Sequence, residues 1–373
     1  MSLRTVPPFR ADHVGSLLRP AALLEARAAA AEGRLPAAEL REQEDDAVRE
    51  VVRLQAEAGL SSVTDGELRR ASWHMDFIYR LGGVSKADHT MQVHFENEQG
   101  SIDFAPAATV VDGRIRLQEP IFAEDFAFLQ ETAGAGVTPK LTIPSPSMVH
   151  YRGGRAAISK DVYPDLEQFW DDLAQAYREQ IAALAAQGCT YLQLDDTSLA
   201  YLNDPRQREL VRSQGDDGDK QHQRNLAEIN AALQGRPQGL HVTTHMCRGN
   251  FRSSWAAEGG YDYVAEALFS SLEVDGFFLE FDDARSGGFE PLRFVPPGKV
   301  VVLGLVTTKR PQLESKDDLK RRIDQAAQYV PLEQLALSPQ CGFSSTSEGN
   351  SLTVADQQAK LRLIVETAAE VWG

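Results

Sequence analysis

Four side chains of metal-binding types lie at or near the ends of apolar runs in the second half of the chain. His245 and Cys247 close "GLHVTTHMC", Glu280 lies in "VDGFFLEFDD", and Cys341 lies in "LALSPQCGF". His-x-Cys alone is a weak signal, because a core strand can also end in a satisfied histidine and a buried thiol. Two thiolates, one imidazole and one carboxylate nevertheless form a tetrahedral donor set typical of zinc. We therefore predict a Zn²⁺ site, provided that the fold brings these strand ends together.

The charge of this donor set limits the chemistry that the predicted metal would support. Zinc bound by two thiolates and a carboxylate carries net negative charge, which makes it a poor Lewis acid for activating water. Hydrolysis is therefore disfavoured. The same metal would hold an incoming thiol as a thiolate, since coordination deprotonates a group whose free pKa is about 8.5. If that thiol displaces Glu280, its sulfur stays nucleophilic, and alkyl transfer to sulfur is the predicted reaction.

Eight apolar, β-branched runs alternate with helical stretches and could position these side chains. Such alternation is typical of a parallel sheet built from βα units. Eight units favour a (β/α)8 TIM barrel over an open doubly wound sheet, and we predict a single catalytic domain over residues 1–373. No Gly-x-Gly-x-x-Gly turn follows the first run, which disfavours dinucleotide binding. The runs span residues 9–16, 60–67, 139–147, 189–196, 239–247, 274–283, 299–308 and 335–343.

The segment between the second and third runs interrupts this repeat. Here "MQVHFENEQGSIDFAPAATVVDGRIRLQ" alternates polar and apolar residues and contains glycines suited to turns. Alternation of this kind predicts antiparallel strands with one buried face. We therefore expect a β-meander, inserted over about residues 88–120 between the second and third strands of the barrel.

Barrel enzymes collect their reactive side chains at the C-terminal ends of the strands. Nearly every predicted strand ends in a reactive or charged side chain, and this density predicts one shared pocket. In chain order the ends carry Ser16, Glu67, Ser145, Asp195 with Asp196, His245 with Cys247, Glu280, Thr308 with Lys309, and Cys341.

Composition excludes several classes of function. The net charge is −16 and basic residues cluster only in "KRP" and "LKRR", so no nucleic-acid-binding surface is expected. No apolar run approaches the roughly 20 residues of a membrane-spanning helix. The N-terminus lacks the features of a signal peptide, which predicts a cytoplasmic protein. In that compartment Cys189, Cys247 and Cys341 are expected to be free thiols or metal ligands, with Cys189 in the core.

Several motifs resemble the cobalamin-independent methionine synthase family, specifically its C-terminal catalytic barrel and its short, single-barrel relatives. The matching segments, spread over most of the chain, are "HVGSLLRP", "TDGELRRASWHMDF", "YLQLDD", "THMCRGN", "FFLEFDD" and "SPQCGF". The resemblance implies an enzyme like 5-methyltetrahydropteroyltriglutamate–homocysteine S-methyltransferase, which methylates zinc-bound homocysteine to give methionine. It also implies the zinc ligands His245, Cys247, Glu280 and Cys341, the same four residues that the strand ends suggest.

The resemblance further implies a pocket for the amino-acid thiol. Ser16 would bind the carboxylate of homocysteine, while Glu67 and Asp195 would hold its ammonium group in a charge-assisted clamp. Ordinary strand-end capping is the alternative role for each of these residues. Asp196 would orient its neighbour.

The donor half of the site departs from the family pattern. Pro146 stands where the family stacks the folate pterin on an aromatic ring, and Lys309 stands where it has an acid histidine. Lys309 could balance an anionic donor or supply a proton, although a lysine after a strand is usually solvated. The donor therefore stays open among a folate with few glutamates, a methylated corrinoid on a partner protein, and a small sulfonium or thioether. Candidates for the donor wall or a lid are Trp73, His74, Asp76, His150 and Arg152.

Three other functions stay open. A zinc alkyltransferase acting on another thiol, as in epoxyalkane transfer to coenzyme M, would not need the pair Glu67 and Asp195. A non-catalytic zinc barrel could bind a thiol metabolite for sensing. A metal-free decarboxylase on the same barrel is disfavoured by the four-residue donor set.

Overall fold

Parallel strands and intervening helices make up most of the protein, whose computed structural model describes residues 4–90, 92–98 and 100–373. The strands β1 to β12 are Ser62–Val63, Gly82–Thr90, Val93–Asn97, Gly100–Phe104, Ala107–Arg116, Thr138–Pro139, Leu141–Pro144, Tyr191–Asp196, His241–Met246, Gly276–Glu280, Val300–Val306 and Leu335–Pro339. The helices α1 to α11 are Ala21–Ala31, Ala37–Glu57, Met75–Ile78, Ala123–Ala133, Leu166–Ala186, Ser198–Tyr201, Pro205–Ser213, Gln221–Leu233, Ala265–Ser271, Lys316–Ala326 and Val354–Trp372. Short 3-10 helices are Pro146–Val149, Gly154–Ala157, Ala284–Ser286, Glu290–Phe294 and Leu332–Gln334.

Six parallel strands form the central sheet, in the order β12, β11, β10, β9, β8, β7. The short strand β1 pairs in parallel with β6, which is separated from β7 only by Lys140. The predicted first strand, residues 9–16, is instead an extended segment joined to β12 by a single bridge, between Ala11 and Leu337. The architecture is therefore α/β with a parallel sheet.

Burial on both faces explains the composition of the strands. Every residue of β8, β10, β11 and β12 is buried, as expected when helices cover a parallel sheet. The helices bury one stripe each, because apolar residues three or four positions apart share a helix face. In α2, for example, Val48, Val51, Val52 and Gln55 are buried. No helix among the described residues is long and apolar enough to cross a membrane.

The register of the sheet places reactive side chains side by side. Asp195 of β8 lies opposite His245 of β9, and His245 lies opposite Phe278 of β10. Glu280, the last residue of β10, lies opposite Gly304 of β11. Because the strands are parallel, their C-terminal ends meet at one edge of the sheet, as the sequence predicts.

The segment between β1 and β6 forms two nested antiparallel pairs. β2 pairs with β5, and β3 pairs with β4 inside that pair. In a meander each strand would pair with the next, whereas here β2 pairs with β5 across the β3–β4 hairpin. The strands also begin earlier than predicted, at Gly82, and Met91 and Gln99 of the predicted segment lie outside the described residues.

Candidate functional site

Three of the four predicted metal ligands converge at the C-terminal edge of the sheet. The donor atoms of His245, Cys247 and Cys341 all lie within 4.8 Å of one another, and the two sulfurs are 3.3 Å apart. All three side chains are buried, and neither ring nitrogen of His245 has a hydrogen-bond partner of acceptable geometry among the described residues. A hydrogen bond from Cys247 holds the pKa of Cys341 well below that of a free thiol. An imidazole beside a thiol and an incipient thiolate is a donor set that fits zinc.

Glu280 lies beside this group rather than within it. Its carboxylate is fully buried, and neither oxygen has a hydrogen-bond partner among the described residues. The nearest cations are Arg248, at 3.6 Å, and Arg285, at 3.9 Å. Burial raises the pKa of Glu280, and the neighbouring Lys309 and Arg285 oppose that shift. The carboxylate thus has unused acceptor capacity next to the three converged donors.

The loop after β9 fixes the position of Cys247. The backbone N–H of Gly249 donates to the Cys247 sulfur at 3.2 Å. The buried guanidinium of Arg248 donates to the carbonyl of Gly259 at 2.8 Å and to the carbonyl of Glu280 at 3.2 Å. Arg248 therefore ties the ends of β9 and β10 to the loop that leads away from the site.

A turn after β1 positions Glu67 at the same C-terminal edge of the sheet. Its backbone is left-handed, with φ of 57°, a strained conformation for a residue with a Cβ. The side chain of Asp65 accepts from the Glu67 N–H at 2.9 Å and stabilises this turn. One carboxylate oxygen accepts from the hydroxyl of Thr142 at 2.7 Å, while the other is buried without a hydrogen-bond partner among the described residues. Burial raises the pKa of Glu67, and the guanidinium of Arg70, 3.6 Å away, opposes that shift.

Asp195 and Ser16 complete the predicted amino-acid pocket. Asp195 accepts from the side-chain amide of Gln193 at 2.7 Å, and burial raises its pKa to about 7. The hydroxyl of Ser16 accepts from the backbone N–H of Ser344 at 3.4 Å. Both residues are more than nine-tenths buried. A polar ligand between them would find a hydroxyl on one side and an incompletely paired carboxyl on the other.

One cavity of about 110 Å³ connects these groups. Ten of the predicted residues line it, namely Ser16, Glu67, Trp73, His74, Arg152, Asp195, Asp196, His245, Cys247 and Cys341. Sequence reasoning missed a second set of lining residues, which is mainly apolar and includes Val93, Phe95, Phe104, Pro106, Tyr201 and Phe251. The alternating pattern of β3 and β4 was visible in the sequence, but it does not reveal which surface its apolar face covers.

Three predicted residues lie elsewhere. Lys309 pairs with Asp282 at 3.4 Å and lines a neighbouring cavity, because the chain turns away after β11. His150 is buried against Glu228, at 3.1 Å, rather than forming a donor wall. Asp76 accepts from the backbone N–H of Ser72 at 2.7 Å, a local contact at the start of α3.

Asp196 and Arg152, which both line the cavity, differ in how far their side chains are already engaged. The carboxylate of Asp196 is already engaged, since it accepts from the hydroxyls of Ser145, Ser147 and Ser198 and from the Leu199 N–H. Its contacts hold the end of β8 in place. Arg152, in contrast, extends over the ring of Tyr201, 5.7 Å from its centre, and lines the cavity.

Comparison with known proteins agrees with this geometry. The model of the cobalamin-independent synthase catalytic domain matches residues 9–370. The uncharacterized protein YxjG of Bacillus subtilis is 47% identical over 371 residues, covering 99% of this chain and 96% of that protein. The methionine synthase of Pyrococcus abyssi is 27% identical over 339 residues, covering 91% and 87% of the two chains.

Among solved structures, a crystal structure from Listeria monocytogenes superposes with a TM-score of 0.74. That protein is provisionally assigned as a vitamin-B12-independent methionine synthase, is 37% identical to this chain, and the match covers 99% of both chains. The family model spans nearly all of the sequence, and the residues quoted for the resemblance lie around one cavity. The chain therefore belongs to the cobalamin-independent methionine synthase family and is an enzyme of the methyltransferase class.

Proposed function

We propose that this enzyme is a zinc-dependent S-methyltransferase that methylates homocysteine to give methionine. The observation that carries the proposal is the convergence of His245, Cys247 and Cys341 in the same cavity as Glu67 and Asp195. Three metal donors with a further carboxylate alongside would leave one position for an exchangeable thiol. The two carboxyls would select a thiol that also carries an ammonium group.

Zinc held by His245, Cys247 and Cys341, with Glu280 as the proposed fourth ligand, would supply a thiolate at neutral pH. The protein's own residues then orient this nucleophile. Glu67 and Asp195 bind the ammonium group, and Ser16 binds the carboxylate of the same molecule. Orientation by such contacts contributes several kcal/mol to catalysis, roughly 7–11 in favourable model systems.

We also propose that the parallel strands close into a (β/α)8 barrel within one domain. Hydrogen bonds at both edges of the sheet support closure. Asp12 N donates to the carbonyl of Leu337 at 3.0 Å, and Lys140 N donates to the carbonyl of Val63 at 2.8 Å. Between them, Leu17 N donates to the carbonyl of Gly66 at 3.0 Å. The extended segment at residues 9–16 would then replace a regular first strand.

Metal content and thiol binding test this proposal directly. Purified wild type and Cys189→Ser should each bind one zinc ion per chain, whereas Cys341→Ser should lose most of the metal. Cys189 is a matched control because it is equally buried but lies outside the three-residue group. In the cobalt-substituted protein, homocysteine should change the sulfur-to-cobalt absorption band. Full zinc occupancy in Cys341→Ser, or no spectral response to homocysteine, would contradict the proposal.

The buried Glu67 and Asp195 weigh against the alternative of a thiol without an amino group. Coenzyme M carries a sulfonate, which two buried carboxyls would repel. A non-catalytic thiol-binding role would bind zinc and homocysteine without turnover, so a methyl-transfer assay separates it from the proposed enzyme. A corrinoid protein as donor has no support, since the matching family is described as cobalamin-independent.

A further inference from the structure

The wall of the cavity includes an aromatic roof, formed by Phe95, Phe104 and Phe251. The ring centres of Phe95 and Phe251 are 5.3 Å apart, and those of Phe104 and Phe251 are 4.6 Å apart. The β3–β4 hairpin is docked on the loop after β9 by reciprocal backbone hydrogen bonds between Glu96 and Trp255, at 2.7 and 2.9 Å. The roof therefore lies on the same loop that positions the metal-binding group.

The size of the cavity under this roof limits the donor. A volume of about 110 Å³ corresponds to roughly four water molecules, at the ~30 Å³ that each occupies in the liquid. That space favours a small donor over a large one. A pterin with its glutamate tail is a drug-sized ligand, for which pockets of about 300–1,000 Å³ are usual.

The charged groups on the donor side are few. Among the described residues that line the cavity, Arg152 is the one arginine or lysine. It would attract a carboxylate on the donor. An aromatic wall, in turn, attracts a cation through the faces of its rings. Together these two features fit a small zwitterion better than a neutral or purely anionic donor.

Among the described residues, neither of the two acid candidates for the donor side, His74 and Lys309, is poised to protonate a leaving group. His74 lines the cavity against Trp73, and burial, with a smaller contribution from Arg152, lowers its pKa to about 3. Lys309 lines the neighbouring cavity and pairs with Asp282. Such a site favours a donor whose leaving atom becomes neutral without receiving a proton.

We propose that the methyl donor is a small methylsulfonium compound that carries a carboxylate, with the sulfonium under the Phe95–Phe104–Phe251 roof and the carboxylate at Arg152. This inference rests on the proposed function and specifies its donor. The thiolate sulfur of homocysteine gives an electron pair to the methyl carbon, and a new S–CH₃ bond forms. The C–S bond to the sulfonium breaks, and its electron pair stays on the donor sulfur. The negatively charged thiolate and the positively charged sulfonium thus become two uncharged thioether sulfurs, and no proton is transferred.

Turnover with defined donors tests the inference. The zinc-loaded enzyme receives homocysteine labelled with ¹³C at every carbon, and labelled methionine is measured by mass spectrometry. The donors compared are dimethylsulfoniopropionate, S-methylmethionine, trimethylsulfonium and 5-methyltetrahydrofolate. The two carboxylate-bearing sulfonium compounds should be the best donors. Methionine formed from the folate but from neither of these compounds would overturn the inference.

Two variants separate the proposed contacts. Arg152→Gln should raise KM for dimethylsulfoniopropionate roughly tenfold, as for loss of a charged hydrogen bond, and leave KM for trimethylsulfonium nearly unchanged. Phe104→Leu should raise KM for both sulfonium compounds roughly 3- to 30-fold. Phe104→Tyr, which keeps an aromatic ring, should leave KM near the wild-type value. Arg116→Gln, on the exposed surface of β5, is the matched control. Equal effects of Arg152→Gln on both donors would contradict the assigned carboxylate contact.

Binding measurements distinguish the two proposals. Calorimetry on metal-free protein should show dimethylsulfoniopropionate binding that Phe104→Leu weakens, whereas binding of 3-(methylthio)propionate, which keeps the carboxylate but has an uncharged thioether sulfur, should be insensitive to this change. If homocysteine alters the cobalt spectrum while no sulfonium compound binds or reacts, the donor inference fails and the proposed function stands. If homocysteine does not alter the spectrum, the proposed function itself fails.

Discussion

Replacing Glu67 with glutamine should weaken homocysteine binding while leaving the fold intact. The carboxylate has one oxygen paired with Thr142 and one buried oxygen without a hydrogen-bond partner among the described residues. Burial raises its pKa, and the guanidinium of Arg70, 3.6 Å away, opposes that shift. An amide of the same shape removes a buried charge but also this ion pair, so the melting temperature should change little.

The loss of affinity follows from the proposed contact to the ammonium group. A hydrogen bond to a charged group contributes about 1.5–3 kcal/mol, which corresponds to a roughly 10- to 150-fold higher Kd. Titration of the cobalt-substituted protein would measure Kd for homocysteine and for 3-mercaptopropionate, which has the thiol and carboxylate but no ammonium group. Glu67→Gln should weaken only the former.

Glu228→Gln is a matched control for this experiment. Glu228 is also buried, with one oxygen at 3.1 Å from His150 and the other without a partner, but it does not line the cavity. It should leave both Kd values unchanged. Equal weakening of both thiols by Glu67→Gln would refute the reasoning, because it would locate the effect in the metal site or the fold rather than in the ammonium contact.

Other predictions concern cysteine reactivity, pH and the loop after β9. Burial raises the pKa of Cys189 to about 12, so iodoacetamide should leave it unmodified in the native protein, and chelation should speed alkylation of Cys247 and Cys341 but not of Cys189. The pKa of Asp195 rises from 3.8 to about 7 on folding, so the folded state binds its proton more tightly and metal-free stability should fall as pH rises across that interval. The change should reach at most about 4 kcal/mol, and Asp195→Asn should flatten the dependence of melting temperature on pH. Arg248→Met removes a fully buried guanidinium that binds backbone carbonyls, and denaturant unfolding should show a loss of about 3–5 kcal/mol, whereas an unchanged midpoint would contradict its positioning role.

The sequence by itself determined the order of the strands and the residues at their ends. Helical and strand periodicities differ, and Gly59 and Gly188 mark helix ends, so the βα repeat was readable along the chain. The residue types of the metal-binding group also came from the sequence, because few donor sets combine two thiols with an imidazole.

Tertiary structure decided which strand-end residues share a cavity. Parallel register brought His245, Cys247 and Cys341 within 4.8 Å, but left Glu280 beside them and turned Lys309 into a neighbouring cavity. The aromatic roof forms because the β3–β4 hairpin docks on the loop near Trp255, which lies far from the hairpin in the sequence. Such contacts between distant segments depend on packing and chain direction, which local patterns do not encode. The metal-binding residue types and the acidic pair could therefore be predicted from strand ends, whereas the aromatic roof emerged only from the folded structure.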